Sequence, residues 1–164
     1  MITQYVTGNV VTILQRAIET GTKTVVGHGC NCHDAMHSGV AWEMQRAFPI
    51  VREMDTKYFE STPNNSDMLG TVLPIYLSGS TFVLNMYTQY FPGADCRYDA
   101  IEKAFAQSND VIPKNGFKSL IIPRIGAGVA GGDWDKIAEI INRVTPDLSI
   151  TVVDWDGTVF DDKK

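Results

Sequence analysis

The chain has 164 residues, of which 44% are hydrophobic and 20% are charged, and its formal net charge is −5. This length fits a single domain over residues 1–164, which can bury a core without disulfides or metals. Nucleic-acid backbones are bound by clustered Lys and Arg, and the fourteen here are dispersed, so the composition argues against an extended nucleic-acid surface. No apolar run approaches the ~20 residues that span a bilayer, which argues against a membrane role.

The N-terminal sequence and the cysteines favour a cytoplasmic location. The opening MITQYVTGNVV has no basic segment followed by a long apolar region, so it shows no export signal. Cys30, Cys32 and Cys96 cannot all pair, and the first two are too close for an ordinary disulfide. We therefore expect free thiols in a reducing compartment. We also expect a monomer.

Strands and helices are predicted to alternate along the chain. Apolar, β-branched runs predict a weak first strand and five stronger ones, at residues 2–8, 24–30, 71–77, 81–87, 119–125 and 149–155. Helical spacing of apolar residues predicts helices at residues 10–19, 39–48, 49–59, 98–108 and 133–144. The short SGS between two strands predicts one antiparallel hairpin. The predicted fold class is α/β, a three-layer α/β/α sandwich with a central mixed, mainly parallel sheet.

Two glycine-rich segments follow predicted strands, at the sheet edge where such folds bind ligands. The first, NCHDAMHSG, leads from a strand ending near Cys30 to a helix starting near Gly39. The second lies in IPRIGAGVAGGDW, where glycines follow a strand ending at Ile125 and Asp133 caps the next helix. Unpaired N–H groups and the positive end of a helix dipole suit an anion, so both segments are candidate phosphate sites.

Two other interpretations of these segments stay open. Gly126, Gly128 and Gly131 spell G-x-G-x-x-G, and Asp154 ends the next strand, as in a dinucleotide-binding fold. That fingerprint normally opens its domain, whereas here one helix and one strand follow it. The Cys and His residues of HGCNCHDAMH offer metal ligands, but zinc sites generally combine C-x₂₋₄-C with a distant second pair. We expect neither a metal nor a cofactor.

Taken together, the motifs resemble those of macrodomains, which are α/β/α modules that bind ADP-ribose. TGNVV is similar to the family's first-strand Gly-Asp-Ile element, and NCHDAMHSGVAWEMQRAFP resembles its Asn-containing first phosphate loop. IPRIGAGVAGGDW resembles the second phosphate loop, and NMYTQ the strand before the family's YDAI helix. The resemblance covers nearly the whole chain and places two separated motifs in the family's order.

The resemblance implies a small-molecule ligand, ADP-ribose or a derivative. Asn9 would take the adenine-contacting role, Asn31 would lie near the distal ribose, and Trp155 could stack on adenine or simply pack on the last helix. Backbone N–H groups of both loops would hold the diphosphate. The implied substrate-binding residues are Gly8, Asn9, Val10, Asn31, His37, Ser38, Gly39, Val40, Ala41, Gly126, Ala127, Gly128, Val129, Ala130 and Trp155.

The resemblance also bears on catalysis. Relatives that remove ADP-ribose from acidic side chains use a Lys and an Asp where this chain has Gln89 and Ala130, so that mechanism is excluded. The HGCNC order instead resembles macrodomains that remove phosphate from ADP-ribose 1''-phosphate. It implies His28 as a proton-transfer group, since an imidazole titrates near neutrality, with Asp133 as its complement.

Alternatives to these roles remain at the level of sequence. His28 could be a buried histidine bonded to the backbone, and Asp133 could be only a helix cap. His37 stands where the family prefers Gly, which adds a possible phosphate contact. A mono-ADP-ribosyl hydrolase and a non-catalytic reader of ADP-ribose are the competing functions.

Overall fold

A computed structural model describes residues 1–159 of the chain. Its strands are β1 (Ile2–Gly8), β2 (Thr24–Cys30), β3 (Val72–Tyr76), β4 (Thr81–Tyr87), β5 (Ser119–Ile122) and β6 (Ser149–Trp155). Its helices are α1 (Val10–Thr20), α2 (Gly39–Ala47), α3 (Pro49–Ser61), α4 (Tyr98–Lys114) and α5 (Trp134–Val144), with a short 3₁₀ helix at Asn65–Met68.

The six strands form one mixed sheet in the order β1-β6-β5-β2-β4-β3. Neighbouring strands run parallel except β3 and β4, which form the antiparallel hairpin predicted from SGS. Apolar side chains of α4 and α5 pack on one face, and those of α1, α2 and α3 pack on the other. The predicted three-layer α/β/α sandwich is therefore confirmed.

Two predicted element boundaries were wrong by three residues or more, each for a local reason. β5 ends at Ile122 rather than residue 125, because Pro123 has no N–H with which to continue the ladder. α4 continues past residue 108 to Lys114, because Ile112 is buried in the core and holds the last turn in place. Gly116, with φ +85°, then redirects the chain.

The glycine fingerprint of the second loop does not lie where a dinucleotide-binding fold needs it. It follows β5, and within residues 1–159 the elements after it are the helix α5 and the strand β6. In the dinucleotide fold the fingerprint lies in the first strand-to-helix turn. The topology therefore argues against the dinucleotide interpretation.

Candidate functional site

A cleft opens at the carboxyl ends of the parallel strands and consists of two adjoining cavities. The larger has a volume of about 390 Å³ and lies between the loops that follow β2 and β5. The smaller, of about 310 Å³, lies beside the start of α1. Five residues line both cavities, so the two are continuous: Gly39, Val40, Pro123, Val153 and Trp155.

The first loop, residues 31–38, is held in shape by side-chain hydrogen bonds. Asn31 donates from Nδ2 to the carbonyl of Ala35 at 2.7 Å and accepts from the His33 N–H at 2.9 Å. Asp34 adopts φ +54°, an uncommon conformation for a residue other than glycine. Its carboxylate accepts a hydrogen bond from the hydroxyl of Thr56 at 2.7 Å and lies 3.1 Å from Arg52. Both partners belong to α3, so this helix holds the loop in place.

A buried polar pair lies beneath this loop. The Tyr87 hydroxyl donates to Asp55 at 2.7 Å, and Arg52 lies 3.6 Å from the same carboxyl group. Burial raises the pKa of Asp55, and the hydrogen bond from Tyr87 opposes that rise. Burial also raises the pKa of Cys30 and brings the pKa of Cys32 to about 12, so both thiols stay protonated at pH 7. These cysteines therefore act as small apolar groups rather than as nucleophiles.

The start of α2 is open to the larger cavity. Gly39 begins the helix with φ +61°, and Ser38 at the N-cap makes no side-chain capping bond. By contrast, Asn9 caps α1 and Asp133 caps α5 through their side-chain oxygens. An uncapped helix N-terminus retains backbone donors and a positive dipole end, so it can accept an anionic group from the cleft.

The second loop, residues 123–133, is shaped by backbone bonds across its own turn. The Gly132 N–H donates to the Gly126 carbonyl at 2.7 Å, and the Gly131 N–H donates to Gly128 at 3.1 Å. The carbonyl of Ala130 accepts from the Cys96 N–H at 3.1 Å, which ties the loop to the segment before α4. Its tip faces the first loop across the larger cavity, and the side chain of Val129 there is 58% exposed.

The predicted binding residues come together in this cleft. The residues on the larger cavity are Asn31, His37, Ser38, Gly39, Val40, Ala41, Gly126, Ala127, Gly128, Val129, Ala130 and Trp155. Gly8, Asn9 and Val10 lie on the smaller cavity, as does one face of Trp155, which is 66% exposed and donates from Nε1 to the Thr158 carbonyl at 2.6 Å.

The Asn9 side chain is already engaged within the protein. Its Oδ1 accepts from the N–H groups of Val11 and Thr12, at 2.9 and 3.4 Å, and its Nδ2 donates to the carbonyl and hydroxyl of Thr158. The side chain therefore caps α1 and links it to Thr158, three residues after the end of β6. Asn9 also lines the smaller cavity, and its contact with adenine stays a prediction.

Neither catalytic candidate from the sequence lies on the cleft lining. His28 is 0% exposed on β2, where its Nε2 lies 2.6 Å from Oδ1 of Asn85 and 3.7 Å from the sulfur of Cys30. Burial lowers the pKa of His28 to about 4, so its imidazole is neutral at pH 7. Asp133 accepts from the Asp135 N–H at 3.0 Å as the cap of α5. His28 is thus buried, with its ring bonded to a side chain rather than to the backbone, and Asp133 caps α5. Their catalytic roles stay predictions.

Three other cleft residues were not among the binding residues that the resemblance implies, although Asp154 figured in the dinucleotide interpretation and Gln89 in the comparison with lysine-based relatives. Arg124 and Asp154 line the larger cavity as an ion pair, and Gln89 lies there with its amide donating to the carbonyls of Phe91 and Gly93. Arg124 stands within the second loop motif, which was the only sequence signal available for it.

Over residues 1–159, no three His, Cys, Asp or Glu side chains cluster in a way that could hold a metal ion. In the same part of the chain, none of the helices is long and apolar enough to cross a membrane.

Comparisons with known proteins place this cleft in a family. The chain is 31% identical over 160 residues to an uncharacterized 17.5 kDa protein from the tk-vs intergenic region of Enterobacteria phage T4, covering 95% of this chain and 98% of that protein. It is 24% identical over 166 residues to the ADP-ribose 1''-phosphate phosphatase of Lodderomyces elongisporus, covering 94% of this chain and all of that protein.

Solved structures share the fold. A macrodomain protein from Streptomyces coelicolor matches with a TM-score of 0.75 at 23% identity, over 94% of this chain and 99% of that one. Thermosipho africanus DarTG in complex with ADP-ribose matches with a TM-score of 0.69 at 16% identity, over 86% of this chain and 40% of that one. The model of the Macro domain family matches residues 28–141, well over half of the sequence, so this chain belongs to the Macro domain family.

Proposed function

We propose that the chain binds ADP-ribose derivatives and removes the phosphate from ADP-ribose 1''-phosphate, giving ADP-ribose and inorganic phosphate. The observation that carries the binding proposal is the chemical contrast between the two continuous cavities. The smaller one is walled by Val10, Trp42, Val153 and Trp155, whereas the larger one is walled by two glycine-rich loops and the start of α2. ADP-ribose has the same two parts, a flat base and a charged diphosphate.

This contrast suggests how the ligand lies in the cleft. The adenine base would enter the smaller cavity and stack on Trp155. The diphosphate would lie between the open N-terminus of α2 and the loop Gly126–Ala130, where backbone N–H groups donate to it. The distal ribose and its phosphate would then reach the end of the larger cavity lined by Asn31 and His37.

The phosphatase activity is supported by the relatives and by one side chain in the cleft. The Lodderomyces elongisporus relative bears the name of this phosphatase and aligns along 94% of the chain. Hydrolysis of a phosphate monoester needs water to attack phosphorus, the bond from phosphorus to the ribose oxygen to break, and a proton to reach that oxygen. An imidazole can supply the proton. His37 is exposed on the larger cavity, so we assign the role to His37 rather than to His28.

The decisive experiment measures phosphate release from ADP-ribose 1''-phosphate, and ADP-ribose binding by calorimetry, on the wild type and on two variants. His37→Gln is expected to bind ADP-ribose within about threefold of the wild type and to release phosphate about 100-fold more slowly. His28→Gln is expected to release phosphate at the wild-type rate at pH 7.5. Circular dichroism at the same pH verifies that this variant is folded.

Other results would revise the proposal in specific ways. Turnover lost in a folded His28→Gln variant and kept in His37→Gln would return the catalytic role to His28. Tight binding of ADP-ribose without phosphate release by the wild type would reject the phosphatase and leave a reader, or a hydrolase that acts on a larger ADP-ribose conjugate.

We also propose that the protein works as a monomer in the cytoplasm. Its three cysteines are free thiols. Cys30 on β2 and Cys32 on the first loop are buried, and their pKa values are raised. Unpaired thiols suit a reducing compartment.

A further inference from the structure

An arginine and an aspartate form a two-point ion pair on the rim of the cleft. Arg124 follows β5, and its Nε lies 2.5 Å from Oδ1 of Asp154 on β6, while its Nη2 lies 3.2 Å from Oδ2. Both side chains are partly exposed, at 43% and 40%, and both line the larger cavity. Hydrogen bonding to Arg124 holds the pKa of Asp154 below its usual range, so the carboxylate is ionised at pH 7.

Aromatic side chains fix the position of this pair. The Arg124 guanidinium lies 5.3 Å from the ring centre of Tyr5 and 5.4 Å from that of Trp134. The two rings meet edge to face at 6.5 Å, and the Trp134 N–H donates to the Tyr5 hydroxyl at 3.2 Å. The two rings hold the Arg124 guanidinium in place, and the guanidinium in turn holds the Asp154 carboxylate in one orientation. The carboxylate therefore loses little conformational freedom when it binds a ligand.

The pair stands where the two cavities join. Pro123 precedes Arg124 and Trp155 follows Asp154, and both of these neighbours line the larger and the smaller cavity. A ligand with its base in the smaller cavity and its diphosphate in the larger one must pass this point. In ADP-ribose the group between base and diphosphate is the adenosine-side ribose, which carries vicinal 2' and 3' hydroxyls.

The chemistry of the pair fits that ribose. An ionised carboxylate has lone pairs beyond the two that Arg124 uses, and these can accept hydrogen bonds from hydroxyl groups. A phosphate at the 2' position would instead meet the negative charge of Asp154, and two of the guanidinium donors are already directed at that carboxylate.

We propose that Asp154, held by Arg124, recognises the hydroxyls of the adenosine-side ribose and excludes derivatives phosphorylated at its 2' position. This inference rests on the proposed function for its ligand. It adds a substrate class, which is ADP-ribose derivatives with an unmodified adenosine-side ribose.

The test is calorimetric binding of three probes to the wild type and to Asp154→Asn. The probes are ADP-ribose, ADP-ribose phosphorylated at the adenosine-side 2' position, and ADP-ribose lacking that 2' hydroxyl. The wild type is expected to bind ADP-ribose at least about tenfold more tightly than either analogue. In Asp154→Asn both ratios are expected to fall to about threefold or less, because the carboxylate charge is removed and Arg124 is freed to meet a phosphate.

Asp110→Asn is the matched control, since it removes an exposed carboxylate whose partner, Lys114, lies 2.9 Å away on α4. It should keep the wild-type ratios. Equal binding of all three probes by the wild type, or unchanged ratios in Asp154→Asn, would overturn the assignment while leaving ADP-ribose binding intact. Failure of the wild type to bind ADP-ribose itself would overturn the proposed function and this inference together. That result differs from the previous two, in which ADP-ribose still binds.

Discussion

His28 and His37 lie in the same motif-rich segment but in opposite environments. His28 is enclosed on β2 beside Asn85 and Cys30, and His37 is exposed on the cleft. An imidazole enclosed in the core loses the hydration that stabilises its charged form, which is why burial lowers the pKa of His28 to about 4. The His28 imidazole therefore stays neutral at pH 7.

The burial of His28 predicts a specific dependence of stability on pH. Below about pH 6.5 the unfolded chain binds a proton at His28 that the folded chain does not. Protonation therefore stabilises the unfolded state, and the free energy of unfolding decreases as the pH falls from about 6.5 toward 4. Between pH 7.5 and 5 we expect the wild type to lose about 2 kcal/mol more free energy of unfolding than His28→Gln. Urea denaturation of both proteins at the two pH values measures this.

Comparing the two proteins isolates His28. Asp55, whose pKa is raised, acts in the opposite direction, because its folded form gains stability as pH falls, but it is present in both proteins and cancels. The same loss of stability in His28→Gln as in the wild type would show that His28 titrates normally in the folded protein.

At the scale of elements, the second loop, residues 123–133, depends on glycines that are not equivalent. Gly126 has φ +82°, and a Cβ placed there would lie 2.9 Å from Ile101 and 3.1 Å from Ile137. Gly128, two residues further on, has nothing within 4 Å of such a Cβ. Gly126 is therefore needed where the loop packs on α4 and α5, whereas Gly128 lies at the open tip.

This difference predicts opposite outcomes for two similar substitutions. Gly126→Ala is expected to lower the free energy of unfolding by about 2–4 kcal/mol, through the left-handed backbone and the overpacking of two isoleucines. Gly128→Ala is expected to change it by less than about 1 kcal/mol. Denaturant titrations of the two variants beside the wild type give the comparison, and equal losses would contradict this account of the loop.

Across the whole molecule, the two ends of the chain meet in the sheet. β1 pairs in parallel with β6 along its length, and β6 pairs in turn with β5. Of the six strands, β1 at the sheet edge has the most exposed side chains, which is why its sequence gave only a weak strand signal. Because the first strand depends on the last, we propose that the chain is one folding unit.

Single-unit folding predicts a single cooperative transition. The three tryptophans, Trp42, Trp134 and Trp155, lie on α2, α5 and β6, so their fluorescence reports on separate parts of the fold. In urea, the fluorescence transition should coincide with that of far-UV circular dichroism. Two separated transitions would show that the chain contains more than one cooperative unit.

Much of the cleft could be predicted from the sequence because its two glycine-rich loops are formed by local sequence. Strand, glycine-rich turn and helix N-terminus follow one another within the segments after β2 and β5, so their backbone donors can be inferred from short windows. The loop residues from Ser38 to Ala41 and from Gly126 to Ala130 accordingly lie on the cleft. The shape of the first loop could not be predicted in this way, because Asp34 is fixed by Arg52 and Thr56 of α3.

The sequence by itself determined the α/β/α layers, the parallel sheet with its one hairpin, and the two loops that flank the cleft. Those features follow from hydrophobic periodicity and turn chemistry, which act over a few residues. Only the tertiary structure decided that His28 is enclosed while His37 faces the cleft, and that Arg124 meets Asp154 thirty residues away. Burial and charge pairing depend on which strands lie side by side, and that arrangement is set by contacts between distant segments of the chain.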